Sequence, residues 1–298
     1  MLPCNGAAHQ SLLRTTTPAT VVPLPRYVEI ETSRKCNRTC SWCPNGEHTA
    51  RRTQQLMKWE LYKSIITELG ELGFDGWLAF HNYNEPLLNP RLIEEIALAV
   101  SSAPQAHPAI YSNGDALNRD LFERLVVAGV EYIRITRYPH QADTPATFEA
   151  IQKWLRQAGL ADQFPWEFRT VRQGFAATTE SGTVRVEVIS PDIVGTYNTR
   201  GGSVTLLPLH VAQRTTPCLM TSTSAVVDYL GRMKMCCCVY PDIPDHRGYV
   251  VGDLNDATFM QLWESDQMNA YRTAHQAADW SLSPACRSCT QPLPETRL

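Results

Sequence analysis

The sequence predicts an α/β fold built on a largely parallel sheet. Two observations carry this: from Tyr27 onward, extended β-rich runs alternate with stretches of helical periodicity, and the segments bearing reactive side chains fall just after the β-rich runs. A third concerns size, since 298 residues with 43% hydrophobic content suffice for one large domain, or for a domain with a substantial appendage. Folds of this class place their chemistry at the C-terminal ends of strands.

Taken in order, residues 1–26 are rich in Thr, Pro and Ala, lack periodicity and are expected to form an N-terminal arm. Tyr27 to Thr32 reads as the first strand, and Met57 to Leu72 as a helix with Leu61, Ile65, Ile66 and Leu69 on one face. Gly76 to His81 is a second strand, followed by a helix from Pro90 to Val100. Strand Ala109 to Ser112 and helix Arg119 to Ala128 come next, then strand Tyr132 to Ile135 and helix Pro145 to Ala158. Two further strands are expected at Trp166 to Val171 and Val184 to Ser190. The segment between them, Arg172 to Gly182, is too short for an ordinary crossover helix, so these two strands are candidates for a hairpin.

The net charge of -3 and the pI near 6.2 give no basic field, which argues against a nucleic-acid partner. No apolar run approaches the roughly 20 residues needed to span a bilayer. Met1 to Thr20 lacks the apolar centre of a signal peptide. A cytoplasmic location is therefore expected, where thiols stay reduced, and the ten cysteines read better as metal ligands than as disulfides.

The most specific signal is Cys36-x3-Cys40-x2-Cys43, directly after the first strand. Three thiolates on a short loop can hold one face of a cubane iron-sulfur cluster and leave the fourth iron without a protein ligand. A structural zinc site normally closes with four ligands, so this loop favours a reactive cofactor. The spacing, with Trp42 before the last cysteine, resembles the CxxxCxxC signature of the radical S-adenosylmethionine (radical SAM) superfamily. That resemblance implies a 4Fe-4S cluster whose open iron binds SAM, reductive cleavage of SAM to a 5'-deoxyadenosyl radical, and abstraction of hydrogen from a C–H bond. It also implies a partial (β/α)6 barrel over residues 27–195 and an electron donor such as flavodoxin or ferredoxin.

Further segments support the resemblance. His81-Asn-Tyr-Asn-Glu-Pro resembles the family's GGEP segment, with Tyr83 and Asn84 in place of the glycines, and makes Glu85 the candidate for the SAM amino group. Alone, a Glu-Pro pair usually marks a turn into a helix. Ser112-Asn113-Gly114 resembles the Thr-Asn-Gly turn beside the cofactor, and a plain tight turn explains the same residues. Arg134, Thr136 and Arg137 are candidates for the SAM carboxylate or ribose. Strand alternation puts the first two on one face and Arg137 on the other. Trp42, Asn84 and Asn113 complete the candidate cofactor contacts.

A second cysteine group comprises Cys218, then Gly231 with four residues between it and Cys236, then Cys286-x2-Cys289. Four thiolates in two pairs suit zinc as well as a cluster. The pattern resembles the SPASM and twitch extensions of radical SAM enzymes, as do Asn198-Thr-Arg-Gly-Gly202, Gly252-Asp-Leu-Asn and Leu262-Trp-Glu-Ser265. No cysteine follows Cys289, so the match is to the smaller twitch form, with one auxiliary 4Fe-4S cluster in residues 196–298.

Cys4, Cys237 and Cys238 remain. The last two read either as small buried hydrophobes or as a hydrogen-atom donor to a substrate radical, and if the backbone is extended only one of them faces the substrate, Cys237 by preference. The resemblance thus implies a small natural-product substrate, sugar-like or aminoglycoside-like, as in antibiotic biosynthesis. Epimerisation with a cysteine donor is the first expectation. Radical dehydrogenation with the auxiliary cluster as electron acceptor is the second, and peptide modification the third. A metal-bearing structural protein that never cleaves SAM is the alternative outside enzymes.

Overall fold

The computed structural model describes residues 22–47, 53–139, 141–172, 174–196, 198–205 and 213–290. Ten strands form one sheet: β1 (Tyr27–Ile30), β2 (Trp77–Ala79), β3 (His107–Ser112), β4 (Tyr132–Thr136), β5 (Glu167–Val171), β6 (Gly174–Ser181), β7 (Val184–Pro191), β8 (Ser224–Val227), β9 (Arg232–Lys234) and β10 (Val250–Asp253). Their order is β10-β9-β8-β1-β2-β3-β4-β7-β6-β5. The six central strands, β8 to β7, run parallel, while β9-β10 and β6-β5 are antiparallel additions at the two ends. Neither end strand pairs with the other, so the sheet is an open, partial barrel.

Four helices return the chain between the first strands: α1 (Trp59–Glu71), α2 (Leu92–Ser102), α3 (Arg119–Ala128) and α4 (Phe148–Gln157). In α1 the residues at helical spacing, Leu61, Tyr62, Ile65, Ile66 and Leu69, are the buried ones, and they pack on Val28, Ile30 and Leu78 of the sheet in one core. Asn118 accepts from Leu121 N to open α3 and Thr147 accepts from Ala150 N to open α4. Four further helices follow: α5 (Ile193–Thr196), α6 (Met220–Thr223), α7 (Phe259–Trp263) and α8 (Asp266–Gln276).

Two expectations change. The segment after Val171 is itself a strand, β6, so β5, β6 and β7 form an antiparallel meander of which only β7 joins the parallel set, beside β4. The physical reason is the short connection, which reverses the chain and leaves no room for a crossover. The sixth parallel strand is instead β8, Ser224-Ala-Val-Val227, which is buried throughout and pairs with β1. Of the expected arm, residues 1–21 lie outside the described residues. Its end is tied down by Arg26 N, which donates to Thr223 O, and by Trp263 Nε1, which donates to Pro23 O, both at 2.9 Å.

Candidate functional site

The loop bearing Cys36, Cys40 and Cys43 leaves the C-terminal end of β1 and folds on itself. Cys43 N donates to Cys40 O, Gly46 N donates to Cys43 O, and a Cβ at Gly46 would lie 2.4 Å from Cys40 O, so only glycine fits that crossing. Asp115 clasps the loop to the turn after β3: Arg38 Nε and Nη2 both reach it at 2.6 Å, Asn37 Nδ2 at 2.9 Å and Arg137 Nη1 at 3.0 Å. Although burial opposes it, these donors hold the Asp115 carboxyl at about 2. The three thiols and Trp42 border a cavity of about 410 Å3. Burial pushes Cys36 up to about 11 and Cys40 to about 12, so bound iron must displace their protons.

The other predicted contacts fall on the same cavity, which is bordered by Asn84, Glu85, Asn113, Arg134 and Thr136. Glu85 is already committed: its carboxylate accepts from Ser112 Oγ at 2.6 Å, Asn113 N at 2.8 Å and Leu87 N at 3.1 Å. Burial nevertheless raises it to about 7. Its role is thus partly to tie two strand-end loops together, with lone-pair capacity left for a cation. Asn84 bonds Ser33 Oγ and Phe80 O, which fixes the same segment to the cysteine loop. Arg134 Nε lies 3.7 Å from Glu187 Oε2 at the cavity wall. Arg137 does not border the cavity; it turns to Asp115, to Asn113 O and over the Trp154 ring.

Sequence reasoning missed the polar floor opposite the cysteines. Glu29, at the end of β1, accepts from Asn82 Nδ2 at 2.9 Å. The same amide group reaches Cys237 O at 3.2 Å, and Asn82 Oδ1 accepts from the fully buried Lys234 Nζ at 2.5 Å. Burial raises Glu29 to about 7, against the Asn82 hydrogen bond and the Lys234 charge. His81 stacks on Tyr111 at 4.6 Å between ring centroids, and burial lowers it to about 3, so it is a neutral imidazole. Its Nδ1 is buried and has no hydrogen-bond partner among the described residues. Arg200 also borders the cavity, its guanidinium 5.5 Å from the Tyr83 ring and its backbone left-handed at φ 49°. Only Arg200 had a sequence signal, the Asn-x-Arg-Gly-Gly stretch; Glu29 and His81 are single polar residues at strand ends.

The second thiol group borders a separate cavity, lined by Cys218, Cys236, Cys238, Cys286 and Cys289 with Met220, Tyr249 and Trp280. Positive φ at Gly231 (97°) closes the turn between β8 and β9 that sets up Cys236. Cys236 to Val239 is not extended, as the sequence reading assumed, but a turn closed by Val239 N donating to Cys236 O. Cys237 borders the first cavity and Cys238 the second. None of the nine cysteines among the described residues forms a disulfide, and Cys4 lies outside them. Among the described residues no three His, Cys, Asp or Glu side chains converge on a single ion.

Comparison with known proteins agrees with this geometry. The Radical SAM superfamily model matches residues 30–162, and a model described as an iron-sulfur cluster-binding domain, SPASM, matches residues 218–290. The chain thus carries a radical SAM domain and an iron-sulfur SPASM domain, which indicate a SAM-binding cluster and an auxiliary cluster. It is 26% identical over 262 residues to the S-adenosyl-L-methionine-dependent 2-deoxy-scyllo-inosamine dehydrogenase of Niallia circulans, covering 88% of this chain and 91% of that protein. Its structure resembles that of BtrN in complex with AdoMet and 2-DOIA, with a TM-score of 0.66, 25% identity, and 90% and 94% of the two chains covered. An open conformation of BtrN is similar in fold, with a TM-score of 0.60, 22% identity and the same coverage. The chain is thus a radical SAM enzyme related to a SAM-dependent dehydrogenase.

Proposed function

We propose that this enzyme dehydrogenates an alcohol carbon of a small hydroxylated, amine-bearing ring. Carrying the reading is one observation: the first cavity and the auxiliary thiol cavity share a wall, formed by the Cys236–Cys238 turn and by Asn198, which borders the first cavity and bonds Cys238 and Cys289 of the second. The named relative is a dehydrogenase, which favours this over the epimerisation first expected. When bound, the SAM-carrying cluster supplies the hydrogen-abstracting radical and the auxiliary cluster an acceptor for the second electron. Cys36, Cys40 and Cys43 would hold the first, and Cys218, Cys236, Cys286 and Cys289 the second. Residues 27–195 would form the core and residues 196–298 the auxiliary region. A low-potential donor such as flavodoxin or ferredoxin would supply the initiating electron.

The chain's own groups account for the rest of the oxidation. Loss of a carbinol hydrogen atom makes the attached O–H acidic, and Glu29, poised near neutral pH at the cavity floor, is placed to take that proton. Neutral His81 offers an acceptor nitrogen to a hydroxyl or ammonium donor. A cavity of about 410 Å3 lined by two glutamates, a histidine, asparagines and three arginines suits a polar ring better than an apolar one.

A second reading, epimerisation, is favoured by Cys237, whose thiol borders the same cavity and could return a hydrogen atom to the substrate carbon. Incubation with SAM, a reductant and amino-cyclitols, starting with 2-deoxy-scyllo-inosamine, in deuterated water separates the two. A ketone two mass units lighter than the substrate is expected. An isomer carrying solvent deuterium at carbon overturns dehydrogenation in favour of Cys237.

A further inference from the structure

The auxiliary cavity holds more thiols than a cubane uses. A 4Fe-4S cluster closed by cysteines takes one thiolate per iron, four in all, whereas five cysteines border this cavity. Cys218, Cys236, Cys286 and Cys289 satisfy the spacing, which leaves Cys238. Its surroundings are those of a ligand-forming thiol. Its thiol hydrogen-bonds to those of Cys236, Cys237 and Cys289, and the Asn198 amide reaches Cys238 Sγ at 3.5 Å through Nδ2 while Oδ1 accepts from Cys289 Sγ at 3.8 Å. The turn closed by Val239 N on Cys236 O leaves Cys236 and Cys238 lining one cavity and Cys237 lining the other.

We infer that Cys238 is an interchangeable ligand of the auxiliary cluster, able to hold the iron assigned to Cys236; the inference rests on the four-ligand set proposed above. The exchange forms an Fe–Sγ bond to Cys238 and breaks the one to Cys236. The proton of the incoming thiol passes to the departing thiolate, and no electron moves. Asn198 would follow the exchange, since its amide already spans Cys238 and Cys289.

Iron content of the anaerobically reconstituted full-length chain tests this. The native chain, Cys236→Ala and Cys238→Ala should each hold about eight irons, and the double variant about four. Retention of the first cluster's four irons in every variant reports an intact fold. If Cys236→Ala alone falls to about four irons, or Cys238→Ala does, the two thiols are not interchangeable and the inference is overturned while the ligand-set reading stands. About four irons in the native chain would overturn both. Cys236→Ser supplies a check that does not depend on tolerating alanine: the SAM-insensitive electron paramagnetic resonance signal should keep the native all-sulfur g-values. Shifted g-values from an oxygen ligand would overturn the inference.

Discussion

Cys36, Cys40 and Cys43 sit on a loop whose crossing at Gly46 admits no side chain, and that loop is clasped at Asp115. Replacing all three by alanine should lower iron from about eight to about four atoms and abolish 5'-deoxyadenosine formation. SAM cleavage surviving in that variant would refute their assignment. Cys237→Ala should leave a dehydrogenase competent, because no hydrogen atom needs to be returned; loss of product with unchanged SAM cleavage would point to epimerisation. Glu29 makes a pH prediction. Its carboxyl is raised to about 7, so between the ordinary carboxylate range and pH 7 the folded chain holds a proton that the unfolded chain has released. Stability therefore falls as pH rises through that window, by at most about 3 kcal/mol for this group. Denaturant titrations of the apoprotein from pH 4.5 to 8 should show a shallower fall for Glu29→Gln. An unchanged slope would mean that Glu29 titrates normally.

At the scale of elements, the two halves of the chain are joined by capping as well as by packing. Glu68 of α1 accepts from Phe259 N at 2.8 Å and Met260 N at 3.0 Å, so a carboxylate from the core caps the start of α7. Thr258 and Gln261 form a capping box on the same turn. Glu68→Ala should destabilise the fold by about 1 kcal/mol, with Glu68→Gln recovering part of it, as read by urea denaturation. No change in either variant would make the contact incidental. Gly252 brings the Gly-Asp-Leu-Asn stretch against the Leu-Trp-Glu-Ser stretch: a Cβ at Gly252 would lie 2.5 Å from Leu262 Cδ2.

Across the whole molecule, the sheet runs through both halves without a break. β8 pairs with β1 over four residues, and its Ala225 and Val227 enter the same core as Val28 and Ile30. A chain ended at residue 195 would keep the cysteine loop but strip β1 of its neighbour, leaving a buried hydrophobic strand as an open edge. Such a truncation should aggregate or elute as large species on size exclusion. A monomeric, folded fragment that still binds four irons would show residues 27–195 to be an independent domain.

The sequence by itself determined the parts governed by local spacing. Two cysteine groups, the alternation of the first four strands and helices, and the glycine-dependent turns are written in residues near one another, because thiol ligation, helical periodicity and positive φ act over a few positions. Tertiary structure alone decided the rest. That β8 rather than a strand near residue 170 completes the parallel set depends on which buried run can reach the free edge of β1, and pairing across 200 residues leaves no local pattern. The floor of the cavity is of the same kind: Glu29, Asn82 and Lys234 come from three distant strands and loops, and only burial turns three ordinary polar residues into a charged network facing the cysteines. The fate of Cys237 and Cys238 was settled likewise, by a turn where the sequence suggested an extended run. One backbone hydrogen bond, Val239 N to Cys236 O, closes the turn in which adjacent cysteines line different cavities.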